Sequence, residues 1–281
     1  MTILAPAKIN LSLRVLRRRD DGFHDIESLI VPVSIFDRLE IDRREAGGIA
    51  FTCNEPEVPA DNTNLVVRAA ISFCATFGIP PNLRIVLHKE IPHGAGLGGG
   101  SSDAAATLLA LDEILATNAP CETLHRLGAD IGSDVPFFLD RSAARVDGRG
   151  DHVTPCAFPH TLPLLLIKPP FGVPTPWAYR QWRDSLEIPG VRYAAQEFAW
   201  GSLVNDLERP VFEKYVFLAD LKRWLLAQPE VGGALMSGSG ATVFAVLREK
   251  TCVEPLRARV AKEFGDGLWV RFAETLAPTM Q

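Results

Sequence analysis

Five glycines fall within Ile91-Pro92-His93-Gly94-Ala95-Gly96-Leu97-Gly98-Gly99-Gly100-Ser101-Ser102-Asp103. Glycine lets backbone N–H groups come close to a ligand and adopt positive φ. The Ala- and Leu-rich stretch that follows reads as a helix from about Ser102 to Thr117, capped by Ser101 or Ser102. A glycine loop feeding a helix N-terminus offers donors and partial positive charge to phosphate oxygens. It is not a Walker loop, because the required lysine is absent. Gly94-x-Gly96-x-x-Gly99 matches the dinucleotide fingerprint in letters only, since no acidic residue ends a clear second strand downstream.

Without a Walker lysine, a transferred phosphoryl group needs another cation. Lys8 is the candidate, beside Asn10 on the polar face of an alternating segment, although an ordinary exposed lysine would read the same way. Asp134, in Gly132-Ser133-Asp134-Val135-Pro136, is placed to accept or orient a substrate hydroxyl proton, or only to satisfy turn amides. Ser237-Gly238-Ser239-Gly240 could line a ligand or make a hairpin turn, and locally the turn fits better. His88-Lys89-Glu90-Ile91-Pro92-His93 is not a helical H-E-x-x-H motif, so zinc is not expected.

These residues need elements to hold them. Ile9, Leu11, Leu13 and Val15 alternate with polar neighbours and predict a strand, turning at Asp20-Asp21-Gly22 into strand material from Ile26 to Ile41. Helical spacing predicts a helix over 64–77, ended by Gly78, and alternation predicts a strand over 83–88. A helix over 121–129 leads to Asp134, which opens an apolar strand, and 143–153 reads as a hairpin. Beyond a proline-rich stretch, a strand over 164–167 precedes a helix opened by Thr175-Pro176 and running to about Leu186. Helices are expected over 202–208, 213–228 and 252–264, with strands flanking the second glycine loop and over 268–272. The mixture favours an α+β fold in two domains, 1–155 and 156–281.

Composition bounds the function. The 281 residues are 47% hydrophobic with a net charge of −5, which excludes a disordered chain and argues against general nucleic-acid binding. Arg17-Arg18-Arg19 meets Asp20-Asp21 at once and reads as a solvated hairpin end. Five scattered cysteines without a C-x-x-C read as buried, reduced thiols in a cytoplasmic enzyme. No secretory leader is evident, and the apolar run 162–167 is too short to cross a bilayer.

Taken in order, these segments resemble the GHMP kinase superfamily. Pro6-Ala7-Lys8-Ile9-Asn10, Asp21-Gly22-Phe23-His24, Pro92 to Ala106, Gly132 to Phe138, Asn205-Asp206-Leu207-Glu208 and Ser237 to Thr242 each match a family segment. The resemblance implies an S5-like N-terminal domain and a ferredoxin-like C-terminal domain with the active site in the cleft between them. It implies ATP with Mg²⁺ alongside, and cytidine-diphosphate methylerythritol as the small-molecule substrate, phosphorylated at a tertiary hydroxyl. Neither nucleic acid nor membrane is an expected partner; oligomeric state and metal ligands stay open. By motif, Asp134 and Lys8 would be the catalytic pair. Pro92, Gly94, Gly96, Leu97, Gly98, Gly99, Gly100, Ser101 and Ser102 would hold ATP phosphates, and Asn64 would lie near the adenine. Asn10, Phe23, His24 and Tyr179 would contact the substrate, with His24 on the cytosine edge and Tyr179 stacked on the base. Two positions depart from the family pattern: Phe23 stands for a commoner tyrosine, and Asp151 for glutamate. Another small-molecule kinase of the family, or a non-catalytic binding module, is the alternative.

Overall fold

A computed structural model describes residues 1–277. Two long strands open the chain, β1 (Thr2–Arg18) and β2 (His24–Arg43). Arg17 and Arg19 at their turn pair with Asp21 and Asp25, so the basic run is a hairpin end neutralised by its own carboxylates. The chain forms two compact units, each gathered from separate stretches. The first holds Met1–Ala7, Ile35–His93 and Gly98–Ser142; the second holds Lys8–Ser34, Gly94–Leu97 and the chain from Ala143 onward. Both β1 and β2 contribute to each unit, whereas the sequence reading cuts the chain once at 155/156.

In the first unit β3 (Ile49–Cys53) runs parallel to β4 (Leu83–His88), and β4 pairs antiparallel with the end of β2, from Arg38↔His88 to Arg43↔Leu83. Between them lies α1 (Leu65–Thr76), where Asn64 accepts the Val66 N–H as a side-chain cap and Gly78 (φ +65°) stops the helix. Helices α2 (Gly99–Leu115), α3 (Cys121–Ile131) and α4 (Val135–Leu139) complete the unit. A run of alanines, Ala104 to Ala106, lets α2 pack closely, with Leu108 and Leu111 also buried. The apolar run after Asp134 is this short helix rather than the expected strand. So few apolar residues carry no decisive period, and Pro136 in the first turn suits a helix start but removes a ladder donor.

The second unit begins with the hairpin β5 (Ala144–Gly148) and β6 (His152–Pro155), added to β2. Then come β7 (Pro163–Lys168), α5 (Thr175–Gln181), β8 (Gln196–Phe198), β9 (Gly201–Asn205), α6 (Glu208–Lys214) and α7 (Val216–Leu226). The chain continues through β10 (Val231–Met236), β11 (Val243–Leu247), α8 (Val253–Phe264) and β12 (Trp269–Glu274). An antiparallel sheet in the order β10-β11-β7-β12 buries Leu165, Ile167, Val243 and Ala245 against Phe212, Leu218, Leu221 and Leu225 of the helices. Each of these side chains larger than alanine contributes about 1.5–3 kcal/mol of burial.

Four further expectations are corrected here. Residues 201–205 form strand β9, parallel to β1 through Ser12↔Val204 and Leu13↔Asn205, because backbone pairing with β1 overrides weak helical spacing. The helix expected over 213–228 is divided at Tyr215, whose φ of −109° and ψ of 68° are not helical. Helix α5 is capped by no side chain and ends at Gln181; the Thr175 hydroxyl instead bonds Ser239 at 2.7 Å. All five cysteines are free thiols, but only Cys74 is buried and Cys121 is exposed, against the expectation of uniform burial. No helix among the described residues is long and apolar enough to cross a membrane.

Candidate active site

The far end of the glycine loop belongs to the first unit. Gly98 stands at the N-cap of α2 in the left-handed region (φ +71°), and its carbonyl accepts the Ser102 N–H at 2.9 Å. The helix thus starts earlier than expected, and Ser101 and Ser102 lie inside its first turn instead of capping it. That turn presents the Gly99, Gly100 and Ser101 N–H groups without intrahelical acceptors. The Ser102 Oγ is buried with no hydrogen-bond partner among the described residues.

Two further segments border this turn. A Cβ on Gly100 would meet Leu65 Cδ1 at 3.6 Å, which brings the start of α1, and hence Asn64, beside the loop. Asn64 itself donates to the Pro59 carbonyl while capping α1. A Cβ on Gly132 would lie 3.9 Å from Ser101 Oγ, so the Gly132–Asp134 turn lies near the first turn of α2. Asp134 is half-buried at the N-cap of α4 and makes no capping bond there. Pro92 is half-buried just before the loop.

In the second unit, Gly94–Leu97 is laid between β1 and the second glycine loop. The Leu97 carbonyl accepts the Lys8 N–H at 2.9 Å, Ser237 Oγ donates to the Gly96 carbonyl at 3.0 Å, and Thr242 N–H donates to Ala95 at 3.2 Å. A side chain on Gly96 would overlap the Ser237 carbonyl oxygen. Lys8 is buried, and its ammonium donates to Asn10 Oδ1 at 2.7 Å. Asn10 Nδ2 donates in turn to Ser28 Oγ at 2.8 Å, and Ser28 to the Ser12 carbonyl at 2.5 Å. A Cβ on Gly238 would come 3.3 Å from Asn10 Oδ1 and 3.5 Å from Lys8 Nζ. The second glycine loop is therefore a hairpin turn, as its local sequence suggests, and also a wall beside Lys8.

Asn205 holds that wall. Its Nδ2 donates to the carbonyls of Met236 at 2.7 Å and Gly238 at 2.8 Å, while its Oδ1 accepts the Leu207 N–H. Glu208, fully buried, accepts the Met236 N–H at 2.9 Å and pairs with Lys222 at 2.5 Å. Elsewhere in this unit the His24 ring lies 5.5 Å from Tyr179 and 6.0 Å from Trp182. Burial, then the Arg18 charge, lowers the His24 pKa, so near pH 7 the ring is neutral, with one donor and one acceptor nitrogen. Phe23 is 56% exposed and carries the Arg149 guanidinium 5.3 Å from its ring centre. Asp151 holds that guanidinium at 3.0 Å.

Within the first unit the structure thus gathers Gly98–Ser102, Asn64 and Asp134. Within the second it gathers Lys8, Asn10 and Gly94–Leu97, and separately His24 with Tyr179. Sequence reasoning missed Ser28, and gave Ser237 and Asn205 no role beyond their motifs. The Asn205 bonds span 31 and 33 positions, a separation at which no local period announces a partner.

A glycine loop opening a helix offers backbone donors to phosphate oxygens, an arrangement that suits a phosphoryl-transfer enzyme. Residues 64–141 match the GHMP kinases N terminal domain and residues 193–266 match GHMP kinases C terminal. The chain belongs to the GHMP kinase family. It is 43% identical to a protein of Methylacidiphilum infernorum named 4-diphosphocytidyl-2-C-methyl-D-erythritol kinase, over 97% of this chain and 96% of the relative. A protein of the same name from Thermodesulfovibrio yellowstonii is 38% identical over the whole of both chains. A crystal structure of 4-(cytidine 5'-diphospho)-2C-methyl-D-erythritol kinase superimposes with a TM-score of 0.80 at 34% identity, covering 99% of this chain and all of that one.

Proposed function

We propose that this protein transfers the γ-phosphate of ATP to the tertiary 2-hydroxyl of 4-diphosphocytidyl-2-C-methyl-D-erythritol, in the non-mevalonate route to isoprenoid precursors. The observation that carries the reading is full-length similarity to kinases of that name, joined to a glycine loop and a buried Lys8. On this reading residues 1–155 carry the nucleotide, the catalytic pair and the substrate contacts Asn10, Phe23 and His24, and residues 156–281 form the substrate-side part that adds Tyr179. The enzyme works in the cytoplasm, where its free thiols stay reduced.

Phosphoryl transfer has a loose transition state, so positioning and electrostatics dominate. Backbone N–H groups of the loop and the Ser102 hydroxyl hold phosphate oxygens. ATP enters as its magnesium complex, since Mg²⁺ favours phosphate and water oxygens over an all-protein cage. Among the described residues no group of three or more His, Cys, Asp or Glu side chains could hold a metal ion. Lys8, held by Asn10 and through it by Ser28, stabilises charge on the transferred group. Asp134 orients the substrate hydroxyl and accepts its proton as the bond to phosphorus forms. Neutral His24 reads the cytosine edge and Tyr179 offers a stacking face. The direct test presents the cytidine conjugate, homoserine, galactose and mevalonate to the purified protein with ATP. Turnover confined to the conjugate supports the reading; preference for another alcohol replaces it.

A further inference from the structure

One buried polar cluster unused by this mechanism touches both ends of the glycine loop. Lys89 follows β4, shortly before Pro92, and its side chain is 9% exposed. The ammonium donates to Asp37 of β2 and, at 2.8 Å, to Asp103 of α2. The other Asp37 oxygen accepts the N–H groups of Glu90 at 2.6 Å and Ile91 at 2.9 Å, fixing the chain where it turns into the loop. Asp103 sits just past the loop's other end. Gly99 marks the closest approach: a Cβ there would come 2.9 Å from Ile91 Cγ2 and 3.0 Å from Lys89 Nζ. One ammonium thus ties the strand before the loop to the helix after it.

The geometry points to Asp37, Lys89 and Asp103 as a clamp that sets the opening of the glycine loop, and so its fit to nucleotide phosphates. All three are positioning residues, and the inference rests on the kinase reading. Their charges matter as well as their bonds. Burial pushes Asp103 up to about 8, against the pull of Lys89 and with the help of Asp37. Near neutrality it keeps its proton, beneath a loop that meets a polyanion. Cys53 of β3 also faces it; burial pushes that thiol up, so it stays neutral over the same range. Raising the pH through the Asp103 transition therefore adds one buried negative charge next to the phosphate site. Nucleotide affinity falls as it does.

The test is a fluorescence titration of the full chain with mant-ATP between pH 7 and 9, with the cytidine conjugate titrated in parallel. Lys89→Met is expected to weaken nucleotide binding roughly tenfold or more through a misplaced loop, while binding of the conjugate and the circular dichroism stay at parent values. The parent is expected to lose affinity severalfold toward pH 9, and Asp103→Asn to lose that alkaline fall. A folded Lys89→Met protein that binds mant-ATP like the parent overturns the clamp. So does an unchanged alkaline fall in Asp103→Asn, the variant that decides if Lys89→Met does not fold. A parent that binds no nucleotide at all removes the kinase reading, and the clamp with it.

Discussion

Gly96 and Gly100 belong to one loop, yet each lacks a side chain for a different reason. Around Gly96, in the second unit, the protein itself fills the space: a Cβ would overlap the Ser237 carbonyl and reach the Gly240 oxygen at 2.9 Å. Gly100, in the first unit, is exposed, and its nearest neighbour would be Leu65 Cδ1 at 3.6 Å. The first glycine serves packing of loop against loop, and the second leaves a helix N-terminus open to a ligand. A glycine-rich motif therefore need not be a phosphate site throughout; part of it is scaffold.

The same division separates reactive groups from their supports, and substitutions can break it. The largest effect belongs to Asp134→Asn, which keeps the shape but cannot take a proton: kcat should fall on the order of a thousandfold with ATP affinity little changed. Steady-state kinetics within a few-fold of the parent would remove Asp134 from the mechanism. Lys8→Met should lower kcat by about a hundredfold or more, the size of one lost transition-state charge contact. If only thermal stability falls, Lys8 is a strand residue and nothing else.

The supports should behave differently. Gly96→Ala forces a side chain into packed backbone and should cost about 1–3 kcal/mol, lowering Tm by roughly 2–4 °C per kcal/mol. Gly100→Ala should leave Tm near the parent value while weakening ATP binding. Equal losses of Tm in the two variants would erase the distinction drawn between these glycines. The smallest effect is expected at Tyr179→Ala, where losing a stacking face should raise KM for the cytidine conjugate about tenfold and leave KM for ATP alone. Weaker ATP binding with the conjugate spared would move that ring out of the substrate site.

Much of this was legible because short-range physics controls it. Alternation from Leu83 to His88 yields β4 residue for residue, and Asn64 followed by a helical apolar stripe and Gly78 delimits α1. The reading failed where partners distant in sequence decide. The stretch after Gly201 becomes a strand only because β1 lies beside it. Val135–Leu139 is too short to show a period, and its proline fits a helix start. For the site, the glycine loop stands out by residue type, while Lys8 and Asp134 each carry an ordinary structural reading and are marked as a pair only by the family resemblance. Asn205, Ser28 and the Asp37–Lys89–Asp103 cluster do not stand out, since each gains its role from bonds closed only in the folded chain. A single cut at 155/156 likewise cannot describe units that share two long strands.

The central claim is phosphoryl transfer to one particular alcohol, and ³¹P NMR of the reaction products tests it most directly. Purified protein, magnesium ATP and the cytidine-diphosphate conjugate should yield ADP together with one new phosphomonoester resonance on the tertiary carbon of the methylerythritol unit, in equal amounts. ADP accompanied only by inorganic phosphate, or a phosphomonoester appearing on homoserine, galactose or mevalonate but not on the conjugate, would contradict the account.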